Sequence, residues 1–223
     1  MKKAPENIRF AAVAVDIVIF GIDDGVLKTL LIDIERHPHY VDMFGFPGGL
    51  IGSTETAEDA VERHLKEKTG LKDIFTEQLY TFSAVERDKR NRVVSIAYYG
   101  LVPSKVIATH THQHTHWVPV ADIKELAYDH NEILAMAHAR LDGKLAYTNV
   151  AQFMLPKYFT LTELQSVYEI VIGKEFDKRN FRKKILALDI VEETGEKQEG
   201  VKNRPATLYK ATTKKIVEIA LFA

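Results

Sequence analysis

The stretch GGLIGSTETAEDAVERHLKEKTGL, residues 48–71, decides how the chain is read. It begins in a Pro-Gly-Gly turn at 47–49 and ends on Gly70–Leu71. Between these points residues 57–69 have the pattern of a helix, with Ala57, Ala60, Val61 and Leu65 on its apolar face. Thr56 and Asp59 stand at capping-box spacing, Asp replacing the usual Glu or Gln, and Gly70 is placed to stop the helix. Five residues separate Gly49 from Glu55, and seven more separate Glu55 from Arg63. Positions 64 and 68 are one turn apart on one face, with Glu67 beside them.

Residues 10–20 and 26–34 are rich in Val, Ile and Leu and are separated by an Asp-Asp-Gly turn at 23–25, which predicts a β-hairpin. Strand-like runs follow at 74–83 and 92–102, joined by the charged turn Glu86–Arg90. Residues 117–120 read as a short strand, and about 131–141 as a helix with Asp129 as its cap. His110, His112, His114 and His116 alternate with Thr and Gln. On an extended segment they would project to one side, but a row along one strand lacks the convergence that a tetrahedral metal site needs. A solvated loop or edge strand is the expectation. Strands and helices in this order predict a mixed α+β domain over residues 1–148.

The pattern changes near residue 149. Thr160 caps a helix at 161–172 that Gly173 ends, and Asp177 caps a second at 178–188 with Phe181, Ile185 and Leu188 on its core face. Two short strands, 190–193 and 206–210, flank a polar loop holding Gly195 and Gly200. Helix, turn, basic helix and hairpin is the winged-helix order, assigned to residues 149–223. Five of the seven residues from Lys178 to Lys184 are basic. Lys178, Arg179, Arg182 and Lys183 pair at i,i+4 on a face opposite the apolar one, as on a helix that meets phosphates. Arginine and Asn180 have the donors to read base edges, and Lys202 in the wing would meet the backbone.

Composition sets the outer limits. The chain has 223 residues, 46% hydrophobic and 27% charged, with a net charge of −1. That supports one large domain or two small ones. Residues 149–223 carry 13 Lys and Arg against 10 Asp and Glu, so the basic excess lies in the tail. There is no cysteine, which excludes disulfides and thiolate metal sites. The first apolar run, Phe10 to Phe20, is broken by Asp16 and too short to span a bilayer, so no membrane partner and a cytoplasmic location are expected.

The spacing of Gly49, Glu55, Arg63, Leu65, Glu67, Gly70 and Leu71 resembles the Nudix box. The departures fall where that family's carboxylates hold Mg2+: the first helical glutamate is His64 here, and the last is Lys68. Magnesium takes hard oxygen ligands, and neither imidazole nor ammonium provides one. No metal and no cofactor are therefore expected, and hydrolysis is expected to be weak or absent. The alternative is an active hydrolase of the ADP-ribose pyrophosphatase type, with Glu55 and Glu67 rescuing a Mg2+ site. Residues 85–102, VERDKRNRVVSIAYYGLV, resemble Nudix proteins of the ADP-ribose-related branch, which makes Arg87 and Asp88 pocket candidates beside Arg63 and Lys68. Arg63 has a competing role in a salt bridge to Glu55 or Glu67.

Residues 153–186, with RPATLY at 204–209, resemble the C-terminal domain of Nudix-related transcriptional regulators, whose branches govern NAD metabolism or respond to sugars such as arabinose. The resemblance implies a Nudix-like α/β/α sandwich followed by a winged helix-turn-helix domain. It also implies a homodimer on a double-stranded DNA operator, tuned by a small effector, ADP-ribose-like or a sugar. The family's recognition-helix positions fall on Lys178, Arg179, Arg182 and Lys183, and its basic wing position on Arg204. The final segment, TTKKIVEIALFA, departs from the family pattern.

Overall fold

The computed structural model of the chain describes residues 10–199 and 205–220. Strand β1 (Ala12–Asp23) turns at Asp24–Gly25 into β2 (Val26–Arg36), the expected hairpin. Strands β3 (Tyr40–Gly45) and β4 (Gly48–Leu50) lead into helix α1 (Ala57–Thr69). Next come β5 (Phe75–Phe82), β6 (Val93–Val102), the short helix α2 (Ser104–Thr109) and β7 (Thr115–Pro119). Helix α3 (His130–Tyr147) is longer than its sequence pattern suggested. Then follow α4 (Leu161–Ile172), α5 (Lys178–Ala187), β8 (Val191–Lys197) and β9 (Thr207–Ala211). Among these helices none is long and apolar enough to cross a membrane.

The larger sheet has the order β3-β2-β1-β6-β5, with β4 also on β1 and β7 also on β2. Strand β1 is central, and residues 14–21 are buried without interruption. Continuous burial means both faces of the strand are covered, as in a layered sandwich rather than a sheet with one wet face. Each fully buried Val, Ile or Leu there contributes roughly 1.5–3 kcal/mol. Asp16 is the one charged residue in that run.

By its internal contacts the chain forms two compact units, one running to Ile19 and including Thr29–Gly100 and Thr111–Ala137. In it, α1 starts with the full capping box: the Thr56 hydroxyl accepts from the Asp59 N–H, and the Asp59 carboxylate from the Thr56 N–H. Gly70 ends the helix in the left-handed conformation. The buried face of α1 carries Ala60, Val61, His64, Leu65 and Thr69. β4 lies against β1 with Gly48 opposite Asp16, and a β-carbon on Gly48 would fall 2.1 Å from the Val15 carbonyl oxygen. The glycine is what lets these two strands close.

The other unit comprises Phe20–Lys28, Leu101–His110 and the chain from His138 on. Helix α4 begins with a second capping box, Thr160 with Glu163, and ends at Gly173, again left-handed. Asp177 caps α5 by accepting from the Asn180 N–H. Glu169 accepts from both the Phe176 N–H and the Gln165 amide, which fixes the turn between the helices. Tyr168 of α4 meets Phe181 of α5 edge-on, ring centroids 5.4 Å apart. Strands β8 and β9 pair antiparallel, and Phe159 exchanges two backbone hydrogen bonds with Tyr209. The terminal segment has a place as well. The Asn149 amide donates to the Lys215 carbonyl and accepts from the Val217 N–H, while Ile219 donates to Tyr147.

Candidate functional site

A cavity of about 620 Å³ opens in the first unit, between the start of β1, strand β4, helix α1 and the loop before β6. Its walls carry five cationic side chains, Arg36, Lys68, Arg87, Arg90 and Arg92, against two carboxylates, Asp16 and Asp88. Phe46, Tyr128 and His130 add aromatic surface. An excess of positive charge around a concave, partly aromatic space suits a ligand with phosphates and a ring.

A buried polar cluster forms the floor. Arg87 donates from Nε and Nη2 to the two Asp129 oxygens, at 2.9 and 2.7 Å, and from Nη2 to Asp16 Oδ2 at 3.0 Å. Ser95 donates to the same Asp16 oxygen at 2.6 Å. His130 accepts the Phe46 N–H at Nδ1, so its own proton sits on Nε2, which faces Asp16 Oδ1 at 3.4 Å without hydrogen-bond alignment. Burial alone would raise the Asp16 carboxyl, but His130, Arg87 and Ser95 hold it well below the usual carboxylate range. Asp129 precedes α3, and its carboxylate, expected as a cap, is turned to Arg87.

Above this floor lie Asp88 and Arg90. Arg90 forks onto Asp88 with contacts of 3.0 and 2.7 Å, and its guanidinium lies 5.4 Å from the Tyr128 ring centroid. Tyr128 has a φ of 60°, rare for a bulky residue, and its ring packs on Tyr40 at 4.3 Å. The turn Glu86–Arg90 is thus more than a solvated hairpin, since Arg87 and Asp88 are both buried and both line the cavity.

The helix residues divide. Glu55 accepts from Arg63 through both oxygens and from the Gly52 N–H, and these bonds lower its carboxyl from 4.5 to about 2. Arg63 also reaches Glu67 at 3.4 Å and the Leu50 carbonyl at 3.1 Å, so it braces the loop before α1 and does not line the cavity. His64 and Lys68 do line it. His64 Nε2 lies 3.2 Å from the Leu50 carbonyl oxygen, and Lys68 donates to the Gly48 carbonyl. An imidazole beside a carbonyl oxygen must donate, so His64 carries its proton on Nε2 and is neutral enough to accept from Arg63 at Nδ1. Burial favours that neutral form by lowering the His64 pKa.

A divalent cation does not fit this face. Glu55 is bonded to Arg63 through both oxygens, Glu67 meets Arg63 through one at 3.4 Å, and their neighbours on the cavity side are an imidazole and an ammonium. Among the described residues no group of three or more His, Cys, Asp or Glu is arranged to hold a metal ion. The histidine row is likewise dispersed. His114 has a φ of 58°, which breaks the alternation, and His114 and His116 both meet Asp33, at 3.0 and 2.8 Å.

On the second unit Lys178, Arg179, Asn180, Arg182 and Lys183 are all exposed on α5, while Phe181 and Ile185 are buried. Lys202 and Arg204 lie outside the described residues. Sequence reading missed Asp16, Arg36, Arg90, Tyr128 and His130 as site residues. A signal existed for Asp16: a carboxylate inside an apolar strand must find a cation.

The NUDIX domain family model matches residues 11–137, and the NrtR DNA-binding winged helix domain model matches residues 151–211. The ADPR responsive transcriptional repressor NtrR of Acinetobacter baylyi is 34% identical over 202 residues, which is 88% of this chain and 80% of that protein. The ADP-ribose pyrophosphatase of Methanocaldococcus jannaschii is 33% identical over 124 residues, 55% of this chain and 70% of that protein. The crystal structure of Shewanella oneidensis NrtR complexed with a 27mer DNA superposes with a TM-score of 0.80 at 34% identity, covering 90% of this chain and 93% of that one. The NUDIX domain of the same Shewanella protein, cocrystallised with ADP ribose, matches with a TM-score of 0.53 at 30% identity, covering 63% of this chain and 94% of that domain.

Proposed function

The chain belongs to the Nudix family, with an NrtR winged helix after its Nudix domain, and on that premise we propose that it is an ADP-ribose-responsive transcriptional repressor. The observation that carries the reading is the match of 90% of the chain, through both domains in order, to an NrtR bound to DNA. Residues 1–148 are the effector domain and residues 149–223 the DNA-binding domain. The protein acts as a homodimer on an operator, in the cytoplasm, where DNA and metabolite meet.

ADP-ribose is favoured over a sugar because its diphosphate suits a cavity with three more cations than carboxylates. Lys68 and Arg90 meet the diphosphate, Asp88 holds Arg90 in place, and Arg87 fixes the floor. Arg63 contributes indirectly, through the loop it braces. On the DNA side Lys178, Arg179, Asn180, Arg182 and Lys183 contact the operator from α5, and Lys202 and Arg204 from the wing. The effector shifts operator affinity by preferring one of two states, and linkage requires the operator to shift effector affinity by the same factor.

The Methanocaldococcus relative favours a second reading, hydrolysis of ADP-ribose with Mg2+. Against it stands the helix face with His64 and Lys68 on the cavity side. A mobility shift with the upstream DNA of the protein's own gene, titrated with ADP-ribose and with arabinose, tests the first reading. Product analysis after incubation with ADP-ribose and Mg2+ or Mn2+ tests the second. Salt-sensitive, sequence-preferring binding that ADP-ribose alters, with the nucleotide recovered intact, is the expected outcome. Rapid turnover without DNA binding would replace it with the enzyme.

A further inference from the structure

We propose that Lys68 takes the place of the divalent cation in the cavity, so that the effector binds without any metal ion. The inference rests on the reading of the cavity as the effector site and adds how charge is balanced there.

The argument starts from what faces α1. Strand β4 turns the Gly48 and Leu50 carbonyl oxygens toward positions 68 and 64. Carbonyl oxygens only accept hydrogen bonds, and so do carboxylates. Two glutamates at 64 and 68 would set acceptor against acceptor, an arrangement made favourable only by a cation between them. Here both positions carry donors. His64 and Lys68 bond the same carbonyls directly, and nothing is needed in between. One pair of substitutions therefore removes the metal's ligands and the need for the metal together.

Lys68 is also placed to do what the ion would do for a ligand. It lines the cavity, half-buried, near Asp16 and Arg36, and it is held by its bond to Gly48. Burial, with Arg36 and Arg63 nearby, pulls its ammonium below the ordinary lysine value, a cost that an incoming diphosphate relieves. A half-buried ammonium presents one positive charge and several N–H donors to phosphate oxygens.

Isothermal titration calorimetry of the full-length protein with ADP-ribose, first in EDTA and then in excess Mg2+, tests this. Wild-type Kd should agree within about twofold in the two buffers, and Lys68→Gln should weaken binding by about tenfold or more in both. Lys68→Glu, which restores the carboxylate, should bind only when Mg2+ is present. Wild-type binding that vanishes in EDTA and returns with Mg2+ overturns the inference and leaves the effector reading standing. Lys68→Gln with wild-type affinity does the same. No ADP-ribose binding in either buffer overturns both. Should Lys68→Gln fail to fold, Lys68→Met replaces it in the same two titrations, with the same expected loss and the same overturning result.

Discussion

Arg87 is held by Asp129 as a planar fork, with two donors on two oxygens at 2.9 and 2.7 Å and a side chain only 3% exposed. The same Nη2 also serves Asp16. One guanidinium thus bridges two largely buried carboxylates from distant parts of the chain. Removing it leaves both uncompensated, which in comparable buried clusters costs about 3–5 kcal/mol. Urea denaturation of Arg87→Ala should show a loss of that order. Lysine should not restore it, because an ammonium cannot span both carboxylates in one plane.

Glu55 contributes to the acid limb of stability. Its folded pKa lies near 2 against an ordinary 4.5, a depressed carboxylate. The stabilisation is therefore complete above pH 4.5 and is lost as pH falls toward about 2. Denaturation midpoints measured across that range should fall more steeply for wild type than for Glu55→Gln, whose amide does not titrate. Parallel curves would show that the Arg63 pair adds nothing to stability.

Arg182 is exposed on α5, whereas Phe181 and Ile185 are buried. If it meets a phosphate, Arg182→Ala should weaken operator binding and lower the slope of log affinity against log salt by about one. Calorimetric binding of ADP-ribose should stay as in wild type. Unchanged DNA affinity and slope would remove this residue from the interface.

Asn149 anchors the terminal segment through its side chain, donating to Lys215 and accepting from Val217. Asn149→Ala should cost about 1–3 kcal/mol and raise hydrogen exchange at Val217 and Ile219, whose N–H groups are bonded in this clasp. Protection at those two amides equal to wild type would mean that the backbone contacts hold the segment alone.

Much of this was legible because it is local. Helices α1 and α4 fall on their sequence bounds, and α5 ends one residue early, since caps such as Thr56, Thr160 and Asp177 act over three residues. Strand β3 and helix α2 lack such punctuation and were missed. Helix α3 runs through Gly143 to Tyr147, with Leu141 and Leu145 fully buried, so packing overrides a weak local propensity. The cavity was legible only in part. His64, Lys68, Arg87 and Asp88 stand in or near readable motifs, whereas Asp16, Arg36, Tyr128 and His130 meet only through tertiary contacts. The terminal segment is explained by Asn149, 68 positions away from Val217, a distance over which no periodicity speaks.

That pairing of Asn149 with Val217 has an architectural meaning. The two ends of the helix–helix–hairpin segment leave from one point, so the segment is a closed loop with a single doorway. A loop of that kind can be spliced into a surface turn of an unrelated scaffold, or its ends rejoined and new ones opened elsewhere, without stretching the chain. Lys215, Val217 and Ile219 are the latch on that doorway.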